Sequence, residues 1–249
     1  MAVFHEATGP GAAEFWPLIS VPQIDLTWRH PKVVGAHRAL VVPMAYRVRN
    51  GDIGDLDRTV TYDDIEMTSL GVQPFNNTGD SWLELFGVLE APSGGRIRAV
   101  LAGEFLAPRW LRATSLSYTG VDDFGAVTTT YGTGTALTAA ATPPAAGMAV
   151  QAFGTKTGLK AYTQRQRYLN NTGIGLLAGD VDGDGTAKSF AATRADTGPW
   201  ANITVALTPA DLVASAKPLV VEPRLSAKAR RLPRPGIPRR VVFDIKPEA

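Results

Sequence analysis

From Trp200 to Thr208 apolar and polar residues alternate. Ile203, Val205 and Leu207 fall on one side; Asn202, Thr204 and Thr208 fall on the other. A repeat of two over this length predicts a half-buried strand. The turn-forming run Asp196-Thr197-Gly198-Pro199 precedes it and Pro209 ends it. The chain also changes character here: a turn-rich body lies before this strand and a Pro- and Arg-rich segment after it.

The same reading finds further strands upstream. Asp25–His30 begins the patterned region. Arg38–Val48 carries Leu40, Val42, Met44, Tyr46 and Val48 on one face. Pro43 cannot donate to a ladder, so it predicts an edge strand or a bulge there. Thr59–Tyr62 is placed beside that strand. Trp82–Leu89 has apolar residues at helical spacing, but its turn-rich flanks favour a strand buried on both faces. Arg96–Ala102, after Gly94-Gly95, is expected to close a hairpin with it. Ala113–Tyr118, Met148–Phe153, Ile174–Leu177 and Lys188–Thr193 complete the set. Many short strands without a convincing helix predict an all-β sandwich of jelly-roll type.

Three parts are expected: an N-terminal arm or first irregular strand over residues 1–24, a sandwich over 25–210, and a C-terminal arm over 211–249. The chain of 249 residues, 45% apolar and 19% charged, is enough for one large globular domain with arms. With no cysteine, disulfides, thiolate chemistry and Cys-based zinc sites are excluded. No signal-peptide pattern opens the sequence and no apolar run approaches a membrane span, so a soluble chain is expected.

Charge is unevenly placed. From Lys217 onward nine Lys and Arg face three acids, a net +6, so the overall +2 leaves −4 on the preceding 216 residues. Six prolines favour extended chain in that segment. Its basic side chains are Arg224, Lys228, Arg230, Arg231, Arg234, Arg239 and Arg240, and Val241, Phe243 and Ile245 follow in a weakly alternating run. Such a segment suits an arm laid on an acidic neighbouring subunit, its last residues adding a strand to that neighbour's sheet. Nucleic-acid binding is the lesser reading, because no aromatics interleave with the basic residues.

Other local patterns have both a chemical and a structural reading. Asp180, Asp182 and Asp184, with Gly185 behind them, match the opening of a calcium loop, but the twelfth position holds Ala191 where a bidentate Glu belongs. Calcium is therefore the one cofactor considered, against a plain hairpin turn. The acids at Asp52/Asp55/Asp57, Asp63/Asp64/Glu66 and Asp122/Asp123 could pair for glycoside hydrolysis, but they sit in turn-like sequence. His5, His30 and His37 match no metal or nucleophile motif. Trp16, Trp28, Trp82, Trp110 and Trp200 offer either a sugar-stacking platform or core. No catalytic residue is assigned.

Three segments carry a family resemblance. They are Trp82-Leu83-Glu84-Leu85-Phe86-Gly87-Val88-Leu89-Glu90-Ala91-Pro92 with Gly94-Gly95, Leu116-Ser117-Tyr118-Thr119-Gly120-Val121-Asp122, and Ala195–Ala201 with Val205–Pro209. Over roughly residues 25–210 the chain resembles minor tail proteins of tailed phages that infect actinobacteria. The resemblance implies a non-enzymatic virion protein with a jelly-roll-like sandwich, made in the host cytoplasm and placed at or near the tail tip. It implies other tail subunits as partners and a homo-oligomer. A carbohydrate-binding adhesin for host envelope glycans and a capsid decoration protein are the alternatives.

Overall fold

The computed structural model describes residues 1–15, 23–48, 56–75, 79–103, 108–156 and 158–211. These residues form strands and no helix. In chain order the first strands are β1 (Phe4–Thr8), β2 (Ala12–Phe15), β3 (Gln23–His30), β4 (Ala39–Val48), β5 (Asp57–Tyr62) and β6 (Ile65–Glu66). Then come β7 (Thr68–Pro74), β8 (Ser81–Leu89), β9 (Gly95–Ala102), β10 (Pro108–Ala113) and β11 (Leu116–Thr119). The last are β12 (Val121–Ala141), β13 (Met148–Thr155), β14 (Leu159–Tyr162), β15 (Arg165–Asn170), β16 (Gly175–Asp182) and β17 (Lys188–Pro209).

All pairing is antiparallel, as the short alternating segments predict, but the sandwich has three layers. The central sheet holds β1, β2, β4, β7, β8, β10 and β11. β4 sends Leu40, Val42, Met44 and Tyr46 into one core and Ala39, Val41 and Ala45 into another. The first core is completed by an outer sheet of β3, β9, β5 and β6, through Leu26, Trp28, Val60 and Leu101. The second is completed by the sheet of β12 to β17, through Val150, Leu176, Ile203 and Val205. A strand covered on both sides needs apolar residues at every position, which is why β8 shows no clean alternation.

Several local expectations change in this frame. Residues 4–8 and 12–15 are strands at one edge of the central sheet, so most of the expected N-terminal arm is its irregular first strand. β8 and β9 do not form a hairpin. Glu90 (φ 52°) and Gly94 (φ 75°) turn the chain out of the central sheet into the outer one. β5 pairs with β9 and not with β4. Pro43 lies in a central strand, opposite the break between β10 and β11, where its missing N–H leaves no gap in the ladder.

The run Asp196–Pro199 is no hairpin turn. It belongs to a corner inside the 22-residue β17, where Gly134 pairs with Gly198 but Ala136 already pairs with Thr193. The β12–β17 ribbon folds over at that corner. Its distal half encloses a third core of Leu137, Phe153, Leu177, Phe190 and Trp200. The Arg194 guanidinium fills the corner and donates to the Pro199 carbonyl at 2.9 Å. A Cβ at position 198 would lie 2.7 Å from that guanidinium, so a larger residue there would push the arginine aside. The first compact unit ends at Asp211, and the expected C-terminal arm lies outside the described residues.

Candidate functional site

Ionisable side chains gather where the central sheet meets β15 and β16. Asp180 on β16 is fully buried and faces a tyrosine and two arginines. It accepts hydrogen bonds from Arg165 Nε at 2.9 Å, Arg167 Nε at 2.7 Å, Arg167 Nη2 at 3.1 Å and the Tyr118 hydroxyl at 3.3 Å. Arg165 also grips Asp182, two positions along the same strand face, at 2.7 and 3.0 Å. Burial holds the Tyr118 hydroxyl well above the usual phenol range, and the Asp180 charge adds to that. His5 on β1 meets the Tyr118 ring edge-on at 5.5 Å. Its pKa is lowered by burial first and then by Arg167.

This arrangement engages the candidate calcium ligands with cations. Asp180 and Asp182 belong to β16, and Asp184 lies beyond its end, bonded to Lys188 Nζ at 2.5 Å and Thr186 Oγ1 at 2.6 Å. Those contacts push its pKa well down, Lys188 first. The three carboxylates do not converge on one point. No group of three His, Asp or Glu side chains able to hold a metal occurs among the described residues. The chain also leaves β16 without turning back on it, since β17 pairs with β12, β13 and β14.

A second node joins the central and outer sheets. Glu84 on β8 is 1% exposed. It accepts from Ser69 Oγ at 2.6 Å and the Tyr46 hydroxyl at 3.2 Å, with Arg58 Nε 3.3 Å away. Burial raises its pKa, and Ser69, Arg58 and Tyr46 hold the rise back.

A third node holds a serine–histidine pair. Ser115, in the break between β10 and β11, accepts from Trp28 Nε1 at 3.0 Å and lies 2.8 Å from His30 Nδ1. Gly9 packs against it so closely that a Cβ would come within 2.2 Å of the hydroxyl. Burial, with a smaller contribution from His5, lowers the His30 pKa to about 4. Ser115 is fully buried and no carboxylate bonds His30, whose Nε2 has no hydrogen-bond partner. A serine nucleophile needs an accessible hydroxyl beside an oriented base, and this pair has no route to a substrate.

The fourth node is a buried guanidinium. Arg112 on β10 is 2% exposed and donates through Nη2 to the Thr172 carbonyl. Its Nε and Nη1 have no hydrogen-bond partner, and no carboxylate pairs with it among the described residues. Burial lowers its pKa, and the neighbouring Tyr168 opposes that shift.

The remaining sequence candidates do not assemble. Trp28, Trp82 and Trp200 are core residues and Trp110 packs against Gly173, so these four make no exposed stacking platform. Trp16 lies outside the described residues, as do Asp52 and Asp55. Asp57, Asp63, Asp64 and Glu66 are exposed on the β5–β6 hairpin, and Asp122 and Asp123 are exposed at the start of β12. Arg224, Lys228, Arg230, Arg231, Arg234, Arg239, Arg240, Val241, Phe243 and Ile245 all lie beyond residue 211 and outside the described residues. Pattern reading passed over Glu84, Arg112 and the His30–Ser115 pair. The first two carried a signal: a charge inside a short apolar run, in W-L-E-L-F and in W-L-R-A. No family model, curated protein or solved structure matches the chain.

Proposed function

We propose that this protein is a structural subunit of a phage virion, a minor tail protein whose β body is a rigid module and whose C-terminal segment fastens it to neighbouring subunits. The observation that carries the reading is the contrast at Asp211. Up to that residue the chain forms one compact all-β unit, with the buried carboxylates Asp180 and Glu84 each held by arginine. Beyond it the sequence is basic, rich in proline and free of acids between Pro223 and Phe243. The exposed acids of the β5–β6 hairpin and of Asp122–Asp123 give a neighbour's basic arm a surface of opposite charge. The three segments that resemble phage tail proteins fall in β8, in β11 with the start of β12, and in β17.

Deleting Lys217–Ala249 tests the proposal. The truncated protein should keep the unfolding midpoint of the full chain but fail to enter particles. Incorporation at the normal level would overturn the arm's role. Absence of the full-length protein from purified virions would overturn the assignment itself.

A further inference from the structure

One edge of the central sheet is a single interrupted strand. β1 runs along β11 and β2 along β10, with Gly9 to Gly11 set opposite the break at Thr114 and Ser115. Gly9 spans that break: its N–H donates to the Ser115 carbonyl at 2.8 Å, and its carbonyl accepts from Thr114 Oγ1 at 3.2 Å. β10 and β11 pair with β4 on their other side, so residues 4–15 are the last strand of the layer at this edge. None of the five side chains of β1 is buried, so the strand is shallowly anchored.

A histidine lies against each face of this strand. His5, on β1 itself, packs on Tyr118, a residue of the second core. Around it stand Arg165 and Arg167 of β15, Asp180 of β16 and the adjacent Glu6. Burial, then Arg167 and Arg165, oppose a proton on His5; Asp180 and Glu6 offset them in part. Arg112, opposite Ala13 in the ladder and beside Tyr168 of β15, is a third guanidinium on that side. His30, on β3, lies on the other side. Its Nδ1 is 2.8 Å from Ser115 Oγ, which also accepts from Trp28 of the first core. Tyr62 of β5 meets the His30 ring edge-on at 6.5 Å, and of the described charged residues only His5 acts on it. Gly9 seals this group, because a side chain at position 9 would run into Ser115 Oγ, Trp28 Nε1 and His30 Nδ1.

The closed strand leaves no good place for either proton. His30 is 4% exposed and its Nε2 has no hydrogen-bond partner, so a charge there would be bare. A charge on His5 would join those of Arg112, Arg165 and Arg167. Lifting residues 4–15 admits water to both rings, while β10 and β11 stay paired to β4.

We propose that the strand of residues 4–15 is an acid-released flap, which peels from β10 and β11 when His5 and His30 take up protons while the rest of the β body stays folded. The closed form keeps His30 neutral down to about 4, whereas a solvated ring binds its proton near 6.5, so opening is favoured as pH falls between those values. Release bares the ladder groups of residues 110–119, an edge that templates a strand from another chain. The flap needs nothing from the virion reading, and the two fail separately.

Native-state hydrogen exchange of the full chain at pH 7 and pH 5, corrected for the intrinsic effect of pH on exchange, tests this. Protection of the amides of residues 4–15 should fall about 20-fold, the change that linkage assigns to His30 alone. Amides of β13 and of residues 201–207 in β17 should keep theirs. His30→Gln should reduce the fall to the smaller share of His5, and His37→Gln, at the third histidine, should leave it whole. Unchanged protection at residues 4–15 overturns the proposal. So does an equal loss in β13 and β17, which would mean that acid opens the body as one unit, and so does a folded His30→Gln protein that keeps the full fall. The wild-type contrast between the flap and β13 decides the matter without any substitution.

Discussion

Asp180 and Arg112 are both buried charges in the layer between the central sheet and β15–β16, but the protein treats them in opposite ways. Asp180 receives four hydrogen bonds, three of them from guanidinium nitrogens. Arg112 has one backbone carbonyl and a nearby tyrosine. Both lost hydration on folding, and among the described residues only Asp180 recovers it through opposite charge. His30 takes a third course, since burial lowers its pKa to about 4 and leaves the ring neutral near pH 7. A charge between layers is thus matched, left bare or discharged, and each choice predicts a different response to mutation.

The largest effect is expected at the matched site. Replacing Asp180 with Ala should cost about 3–5 kcal/mol, the usual loss when one partner of a buried ion pair is removed. Arg165 and Arg167 can turn towards solvent, but the fully buried Tyr118 hydroxyl cannot, which sets a floor under the loss. Urea unfolding at pH 7 measures it. A loss below ~1 kcal/mol would mean that the arginines need no partner there, and the contrast with Arg112 would collapse.

The discharged site should give the next largest effect, through pH. Folding lowers the His30 pKa from 6.5 to about 4, so the unfolded chain binds the extra proton between those values. Its share of stability is whole above pH 6.5 and is lost as the pH falls towards 4. By linkage the loss is about 3 kcal/mol. Glu84 has the opposite sign: its raised pKa favours the folded state at low pH, and that share is lost as the pH rises through the folded value. The check is the slope of unfolding free energy against pH between 6.5 and 4. His30→Gln should flatten it, and an unchanged slope would move the acid sensitivity to another group.

The two sites also differ in how far the sequence reveals them. Val205 and Ile203 give away their strand because apolar and polar residues alternate along that stretch of β17, although Asn202 and Thr204 on the polar side are buried as well, so the strand is not half-buried. The strand class followed from such alternation. The third layer did not, because β4 and β8 are apolar almost throughout, and continuous burial looks the same whether one sheet or two cover a strand. Strand partners were also hidden, since Gly94-Gly95 signals a turn without saying whether the next strand stays in its sheet. Asp180 drew notice for its spacing to Asp182 and Asp184, a pattern local in sequence. Its partners Arg165, Arg167 and Tyr118 reach it through pairing that no local pattern encodes. Arg112 was legible as a charge amid apolar neighbours, but that no carboxylate pairs with it among the described residues is a property of three dimensions alone.

The bare site should respond weakly and with reversed sign. Arg112→Met keeps the volume and removes the unpaired charge, so stability should hold or rise by about 1 kcal/mol. Urea unfolding of this variant beside Asp180→Ala sharpens the comparison most directly. A loss above ~1 kcal/mol would show that the guanidinium has a counter-charge in solution.

The smallest effect is expected at Asp184, whose carboxylate is held by Lys188 and Thr186 at an exposed loop. Removing that contact by Asp184→Asn should shift the melting temperature little, because exposed ion pairs are screened and gain little over water. Calcium discriminates further. Binding would require the ion to displace Lys188 from Asp184 and Arg165 from Asp182, two cations already in place. Millimolar calcium should therefore leave the melting temperature of the wild-type chain where it is. A rise on adding calcium that Asp184→Asn abolishes would show that the loop rearranges around an ion, and it would move Asp182 from the arginine network to a metal site.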